Sequence, residues 1–98
     1  MSKDQITLVC FIKAKENTKQ LVAQKLKYLA TMTSKEIGNI NYILHSTDKD
    51  DTLFIIYENW KDQAALDKHM AQPYLIEFLS KTDELLQCPI DAKACKLL

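Results

Sequence analysis

The sequence predicts an α+β fold in which two helices pack on one face of a four-stranded antiparallel sheet. Two strand-length stretches are nearly continuous apolar runs, a third has apolar residues at every second position, and apolar residues recur at helical spacing in two others. With a weaker last strand, the order is strand, helix, strand, strand, helix, strand, which favours this fold class. The chain has 98 residues, which suits one domain spanning residues 1–98.

The first strand and the first helix are separated by a change of period. Within residues 6–14 both alternating sets are largely apolar, which is typical of a strand that is covered on both faces. Within residues 18–34 the apolar residues fall at helical spacing, and Asn17 or Thr18 is a suitable N-cap. Gly38, the only glycine, lies just past this helix and is expected to let the chain turn out of it.

The second half of the chain predicts a hairpin, a helix and a last strand. Residues 40–46 and 52–58 read as strands joined by a polar turn. Asp62 is a suitable N-cap for the second helix, which Pro73 breaks or restarts, and residues 90–97 form the last strand. This order is the split βαβ, or ferredoxin-like, arrangement. Its uncovered apolar sheet face predicts a homodimer that packs sheet to sheet.

Composition argues against several classes of function. The 13 basic and 13 acidic residues are scattered, and none of the basic residues is arginine, so no nucleic-acid partner is predicted. There is no glycine-rich loop for a nucleotide cofactor and no spacing of ligands for a metal, so neither is expected. No apolar run approaches the length of a membrane span. Three widely spaced cysteines indicate reduced thiols and a cytoplasmic protein.

The candidate site lies where the third strand feeds the second helix. Such a strand end is a common place for a pocket. His69 is the candidate base, because an imidazole exchanges a proton near neutral pH. Glu58 and Trp60 point to one sheet face and are candidates for substrate binding. The other two candidate substrate-binding residues are Tyr42 and Phe78.

A structural role remains open for each of these residues. His69 could be a packed helix histidine, and Trp60 could be a core anchor whose N–H reaches a backbone carbonyl. Glu58 could orient His69 or a lysine, or form a plain structural salt bridge. Tyr42 could be a core tyrosine whose polar end reaches solvent. The other histidine, His45, is expected to be exposed to solvent.

Four ordered segments resemble a known family. They are Glu36-Ile-Gly-Asn-Ile-Asn-Tyr42, Glu58-Asn-Trp60, Ala65-Leu-Asp-Lys-His69 and Gln72-Pro-Tyr74. Together they resemble the antibiotic biosynthesis monooxygenase superfamily of small, quinol-monooxygenase-like proteins. The resemblance implies a dimeric α/β barrel and cofactor-independent oxygenation of a quinol-like or polyphenolic aromatic molecule. Two other functions remain open: a non-catalytic small-molecule-binding dimer, and an isomerase of a small metabolite on the same fold.

Overall fold

Residues 4–98 form four strands and four helices in this computed structural model. In chain order the elements are β1 (Ile6–Lys13), α1 (Lys19–Thr33), β2 (Asn39–Ser46), β3 (Leu53–Trp60), α2 (Gln63–Met70), α3 (Pro73–Leu79), α4 (Thr82–Leu85) and β4 (Asp91–Cys95). The strands make one antiparallel sheet in the order β2-β3-β1-β4. The predicted ferredoxin-like α+β fold is therefore confirmed.

The segment predicted as a second helix is three short helices. Asp62 caps α2 as predicted, because its carboxylate accepts a hydrogen bond from the backbone N–H of Ala65 at 2.9 Å. Pro73 occupies the first turn of α3, where its missing N–H removes no helical hydrogen bond, so it restarts the helical path. No helix within residues 4–98 is long and apolar enough to cross a membrane.

Helix α1 packs through the face that its apolar spacing predicts. Val22, Leu26 and Leu29 are buried on that face. Thr18 stands at the N-cap position, but its hydroxyl does not cap the helix. It donates instead to the backbone carbonyl of Leu85 at 2.6 Å, which ties the start of α1 to the end of α4.

The register of the sheet decides which side chains face the helices. Ile6 opposes Trp60 and Lys13 opposes Leu53, so alternate residues of β1 and β3 share each face. The helix-facing set includes Ile12 and Ile56, which belong to the hydrophobic core. The opposite, open face carries Val9, Phe11, Ile43, Ile55 and Tyr57. Two of these, Ile43 and Tyr57, are 46% and 40% exposed, so this face is partly open to solvent.

Gly38 makes the turn between α1 and β2, and its replacement by Ala is expected to destabilise the protein. Its φ of 88° is left-handed, and an added Cβ would lie 2.5 Å from Cβ of Ala65 in α2. Strain and overpacking together predict a loss of about 2–4 kcal/mol in the free energy of unfolding, measured in urea. Lys35→Ala, an exposed change in the same turn, serves as the control. A loss below about 0.5 kcal/mol would show that the turn relaxes freely.

Candidate active site

A cavity of about 250 Å³ lies between the covered face of the sheet and the helices. Most of its wall is aliphatic, and Phe78 of α3 adds an aromatic ring. Four side chains with titratable groups border it: Cys10 of β1, Tyr42 of β2, Glu58 of β3 and His69 of α2. Apolar walls with a few convergent polar groups are typical of small-molecule sites.

A larger groove of about 540 Å³ runs between α1 and α3 on the outer surface. Leu29 and Phe78 border both the groove and the cavity. The groove has no histidine or cysteine in its wall, whereas the cavity gathers buried or half-buried titratable side chains from three strands and one helix. The cavity is therefore the better candidate for chemistry, although it is the smaller of the two.

His69 is held in one orientation by Glu36. Its side chain is 4% exposed, and Nδ1 lies 2.9 Å from Oε2 of Glu36. The same carboxylate oxygen accepts a hydrogen bond from the hydroxyl of Tyr74. In the tautomer in which Nδ1 donates to this carboxylate, the accepting lone pair of the imidazole is at Nε2. No atom within residues 4–98 makes a hydrogen bond to Nε2, so this nitrogen is available to a ligand.

The turn after α1 brings Glu36 to His69, which is 33 residues away in the sequence. Gly38 approaches Ala65 closely because it has no side chain, and Ala65 lies one helical turn before His69. Oε1 of Glu36 is buried and has no hydrogen-bond partner within the described residues. The stabilisation of this carboxylate therefore rests on the two donors at Oε2, from His69 and Tyr74.

Trp60 lies behind His69 and connects it to Glu58. The two ring centroids are 4.6 Å apart, the planes are tilted by 33°, and the indole is fully buried. Its Nε1–H donates to Oε1 of Glu58 at 2.9 Å. The expectation that this N–H reaches a backbone carbonyl is wrong. The two side chains stand two residues apart on one strand, so the carboxylate is the nearer acceptor.

Burial changes the acidity of three groups at the cavity. It raises the pKa of the Glu58 carboxyl, even though the Trp60 N–H and a positive His69 would lower it. Burial, with Glu58 adding to it, raises the pKa of the Cys10 thiol to about 12, and Sγ lies 3.8 Å from Oε2 of Glu58. Burial also raises the pKa of Tyr42. Cys10 and Tyr42 therefore keep their protons near neutral pH, so Cys10 is a poor nucleophile and Tyr42 is a donor.

Residues 5–81 match the model of the antibiotic biosynthesis monooxygenase family. The chain belongs to this family. It is 31% identical over 94 residues to an uncharacterized protein from Synechocystis sp., covering 96% of this chain and 64% of that protein, so it spans just under two thirds of that relative.

Two further comparisons extend along nearly the whole length of both partners. The chain is 29% identical over 92 residues to the Bacillus subtilis protein named "Putative monooxygenase YcnE", covering 94% of this chain and 97% of that protein. The crystal structure of PA3566 from Pseudomonas aeruginosa superimposes with a TM-score of 0.92 at 26% identity, covering 100% of this chain and 98% of that chain. The family fold thus accounts for the whole sheet and its helices.

Within this family fold, the predicted site residues gather at one place. Four of the five border the cavity: Tyr42, Glu58, His69 and Phe78. Trp60 does not border it but contacts two residues that do. His45 is exposed, as expected.

Two residues of the site, Glu36 and Tyr74, were not predicted to take part. Glu58 was one candidate for orienting His69, but Glu36 is the carboxylate that contacts its ring nitrogen. Both Glu36 and Tyr74 lie within segments that carry the family resemblance. The sequence therefore pointed to the segments that contain these residues, but it did not show that the segments come into contact.

Proposed function

We propose that this protein is a cofactor-independent monooxygenase that acts on a quinol-like or polyphenolic aromatic molecule. Family membership and the similarity to the Bacillus subtilis protein support the monooxygenase part. The observation that carries the rest is the His69–Glu36 pair at the wall of an apolar cavity. It combines a base whose accepting nitrogen is free with a space suited to a flat ring.

The chemistry uses the electrons of the substrate ring to reduce dioxygen. One hydroquinone and one O₂ give one hydroxyquinone and one water. His69 takes a proton from a ring hydroxyl through Nε2, and the resulting phenolate passes electrons to O₂ more readily than the neutral ring does. Glu36 stabilises the imidazolium that forms, because it lies 2.9 Å from Nδ1.

The other site residues bind the ring or support the base. Tyr42 and Phe78 contribute flat walls, and the Tyr42 hydroxyl, which keeps its proton, donates to the developing anion. Glu58 meets a polar group of the ligand at the cavity wall. The ring of Trp60 packs against the imidazole of His69 and holds it in place.

Oxygen uptake tests this function directly. Purified protein is incubated with hydroquinones that have a single ring, two fused rings or three fused rings. The rate of oxygen uptake is compared with the rate of autoxidation without protein. We expect faster uptake for at least one compound small enough for a cavity of about 250 Å³. Uptake equal to autoxidation across the whole series would contradict the proposal. Thermal stabilisation without uptake would then identify a binding protein, and turnover without uptake an isomerase.

We also propose a homodimer that buries the open sheet face, and Ile43→Lys is expected to disrupt it. Ile43 is 46% exposed in the apolar set on that face, and a buried lysine without a partner is unfavourable. Light scattering at micromolar concentration should give twice 11.3 kDa for the wild type and 11.3 kDa for the variant. Ile76→Lys is the matched control, because Ile76 is 53% exposed on α3, away from the sheet. A wild-type mass of 11.3 kDa would rule the dimer out.

A cytoplasmic location belongs to the same proposal. Cys10, Cys88 and Cys95 are all free thiols, and reducing compartments keep such thiols unpaired. Cys88 and Cys95 are exposed, so an oxidising compartment would allow these two thiols to form disulfide cross-links.

A further inference from the structure

The site contains two buried carboxyl groups, and they differ in their partners. Oε2 of Glu36 has two strong donors, Nδ1 of His69 at 2.9 Å and the hydroxyl of Tyr74, and the imidazole can also become positive. Glu58 is 4% exposed and forms no ion pair with any lysine or histidine within residues 4–98. Its two oxygens have neutral donors only: the indole N–H of Trp60 at 2.9 Å from Oε1, and the thiol of Cys10 at 3.8 Å from Oε2.

An ionised carboxylate would be poorly stabilised in that setting. It loses its hydration on burial and gains no adjacent cation, and both effects favour the protonated form. Burial accordingly raises the pKa of Glu58. The titratable groups that face it from other elements are Cys10 of β1, Tyr42 of β2, His69 of α2 and Glu36 of the turn after α1. Of these only His69 can be positive, and its Nδ1 is already paired with Glu36.

We propose that Glu58 is the proton donor of the reaction, a carboxylic acid in the resting site that protonates the peroxide formed on the ring. This inference rests on the proposed function. His69 and Glu58 divide the proton transfers because their surroundings favour opposite protonation states. Oε1 of Glu58 accepts the stronger hydrogen bond, from Trp60 at 2.9 Å, whereas Oε2 has only the weak thiol donor of Cys10 at 3.8 Å, so the proton is carried on Oε2.

The steps balance for 1,4-hydroquinone. His69 takes one hydroxyl proton, and O₂ adds to the adjacent ring carbon, which forms a C–O bond and leaves a peroxide anion. Glu58 gives its proton to the terminal oxygen. The O–O bond then breaks as the hydrogen on that carbon leaves as a proton to Glu58, and the departing hydroxide takes the proton held by His69. The products are a hydroxyquinone and water, the ring supplies all the electrons, and both residues return to their starting states.

The first test reads the protonation state of Glu58 without any substrate. Infrared difference spectra compare the wild type with Glu58→Gln at neutral pH. We expect the wild type to show the carbonyl stretch of a protonated carboxyl group that the variant lacks. Glu84→Gln, at an exposed position of α4, should remove only carboxylate bands. Loss of only carboxylate bands in Glu58→Gln would overturn the inference, whether or not the protein turns over a substrate.

The second test follows the fate of oxygen with 1,4-hydroquinone. Glu58→Gln keeps an amide oxygen for the Trp60 N–H but cannot give up a proton, so hydroxyquinone formation should fall about 10²-fold or more. Oxygen that is still consumed should leave as hydrogen peroxide. Glu58→Asp, which keeps a carboxyl group, should recover part of the rate.

The pH profile separates a proton donor from a structural residue. An acid must be protonated to act, so the wild-type rate should fall as pH rises through the raised pKa of Glu58, and Glu58→Gln should lose that alkaline limb. An unchanged rate and profile in Glu58→Gln, beside an active wild type, would remove the donor role alone. A wild type without oxygen uptake on any hydroquinone would remove the proposed function, and the donor role with it.

Discussion

Replacement of His69 by Gln is expected to lower the rate of oxygen uptake by about 10²–10⁴-fold, which is the usual contribution of a general base. Glutamine keeps a polar group near the position of the imidazole but cannot take a proton from a ring hydroxyl. The effect should fall on kcat more than on KM, because the ring still meets the walls of the cavity. Steady-state oxygen consumption with the fastest hydroquinone of the series measures both constants.

The chain offers a matched control for this change. His45 is its only other histidine, and its side chain is exposed at the end of β2 with Nδ1 3.1 Å from the backbone carbonyl of Ile43. His45→Gln should leave the rate within about twofold of the wild type, since His45 lies on the opposite face of the sheet from the cavity and does not border it. Equal rates for His69→Gln and His45→Gln would show that His69 is a packing residue.

Replacement of Trp60 by Ala is expected to destabilise the protein by about 3–5 kcal/mol, the usual loss for a buried tryptophan. The indole is fully buried, contacts the ring of His69 and donates to Glu58. The change therefore leaves a void beside the base and removes the only hydrogen bond to Oε1 of Glu58 within the described residues. Such a loss is a large fraction of the stability of a domain of this size.

Urea denaturation at one fixed protein concentration measures this difference, because association would shift the apparent stability. Tyr28→Ala is the control: Tyr28 is an aromatic residue of α1 that is 57% exposed, so its loss should change stability by about 0.5 kcal/mol or less. A Trp60→Ala variant as stable as Tyr28→Ala would contradict the role of Trp60 as the support of the site.

The sequence was sufficient for the fold because each element carries its own local signal. The apolar run of β1 and the spacing of Val22 and Leu26 in α1 are properties of neighbouring residues. Pro73 was recognised as a break, but whether it ends or restarts a helix depends on the packing that follows it. The hydroxyl of Thr18 was expected to accept a hydrogen bond from a backbone N–H of α1, but it donates to the carbonyl of Leu85, which comes from a distant segment.

The site was predicted only in part because its decisive contacts are long-range. His69 was identified from its chemistry, whereas its partner Glu36 depends on how closely the Gly38 turn approaches α2. The protonation state of Glu58 depends on the absence of a lysine or other cation beside it, and no spacing in the sequence reveals that absence. Trp60 was correctly placed beside Glu58, but their hydrogen bond required the side-chain geometry.

The central claim is that His69, held by Glu36, removes a proton from a ring hydroxyl inside the cavity. Anaerobic titration of the protein with a hydroquinone tests it most directly, because the ultraviolet spectrum of the ring reports its ionisation before any oxygen reacts. We expect the bound ring to ionise in the wild type at a pH at which the free hydroquinone is neutral, and to bind without ionising in His69→Gln. A ring that binds to the wild type and stays neutral would contradict the claim.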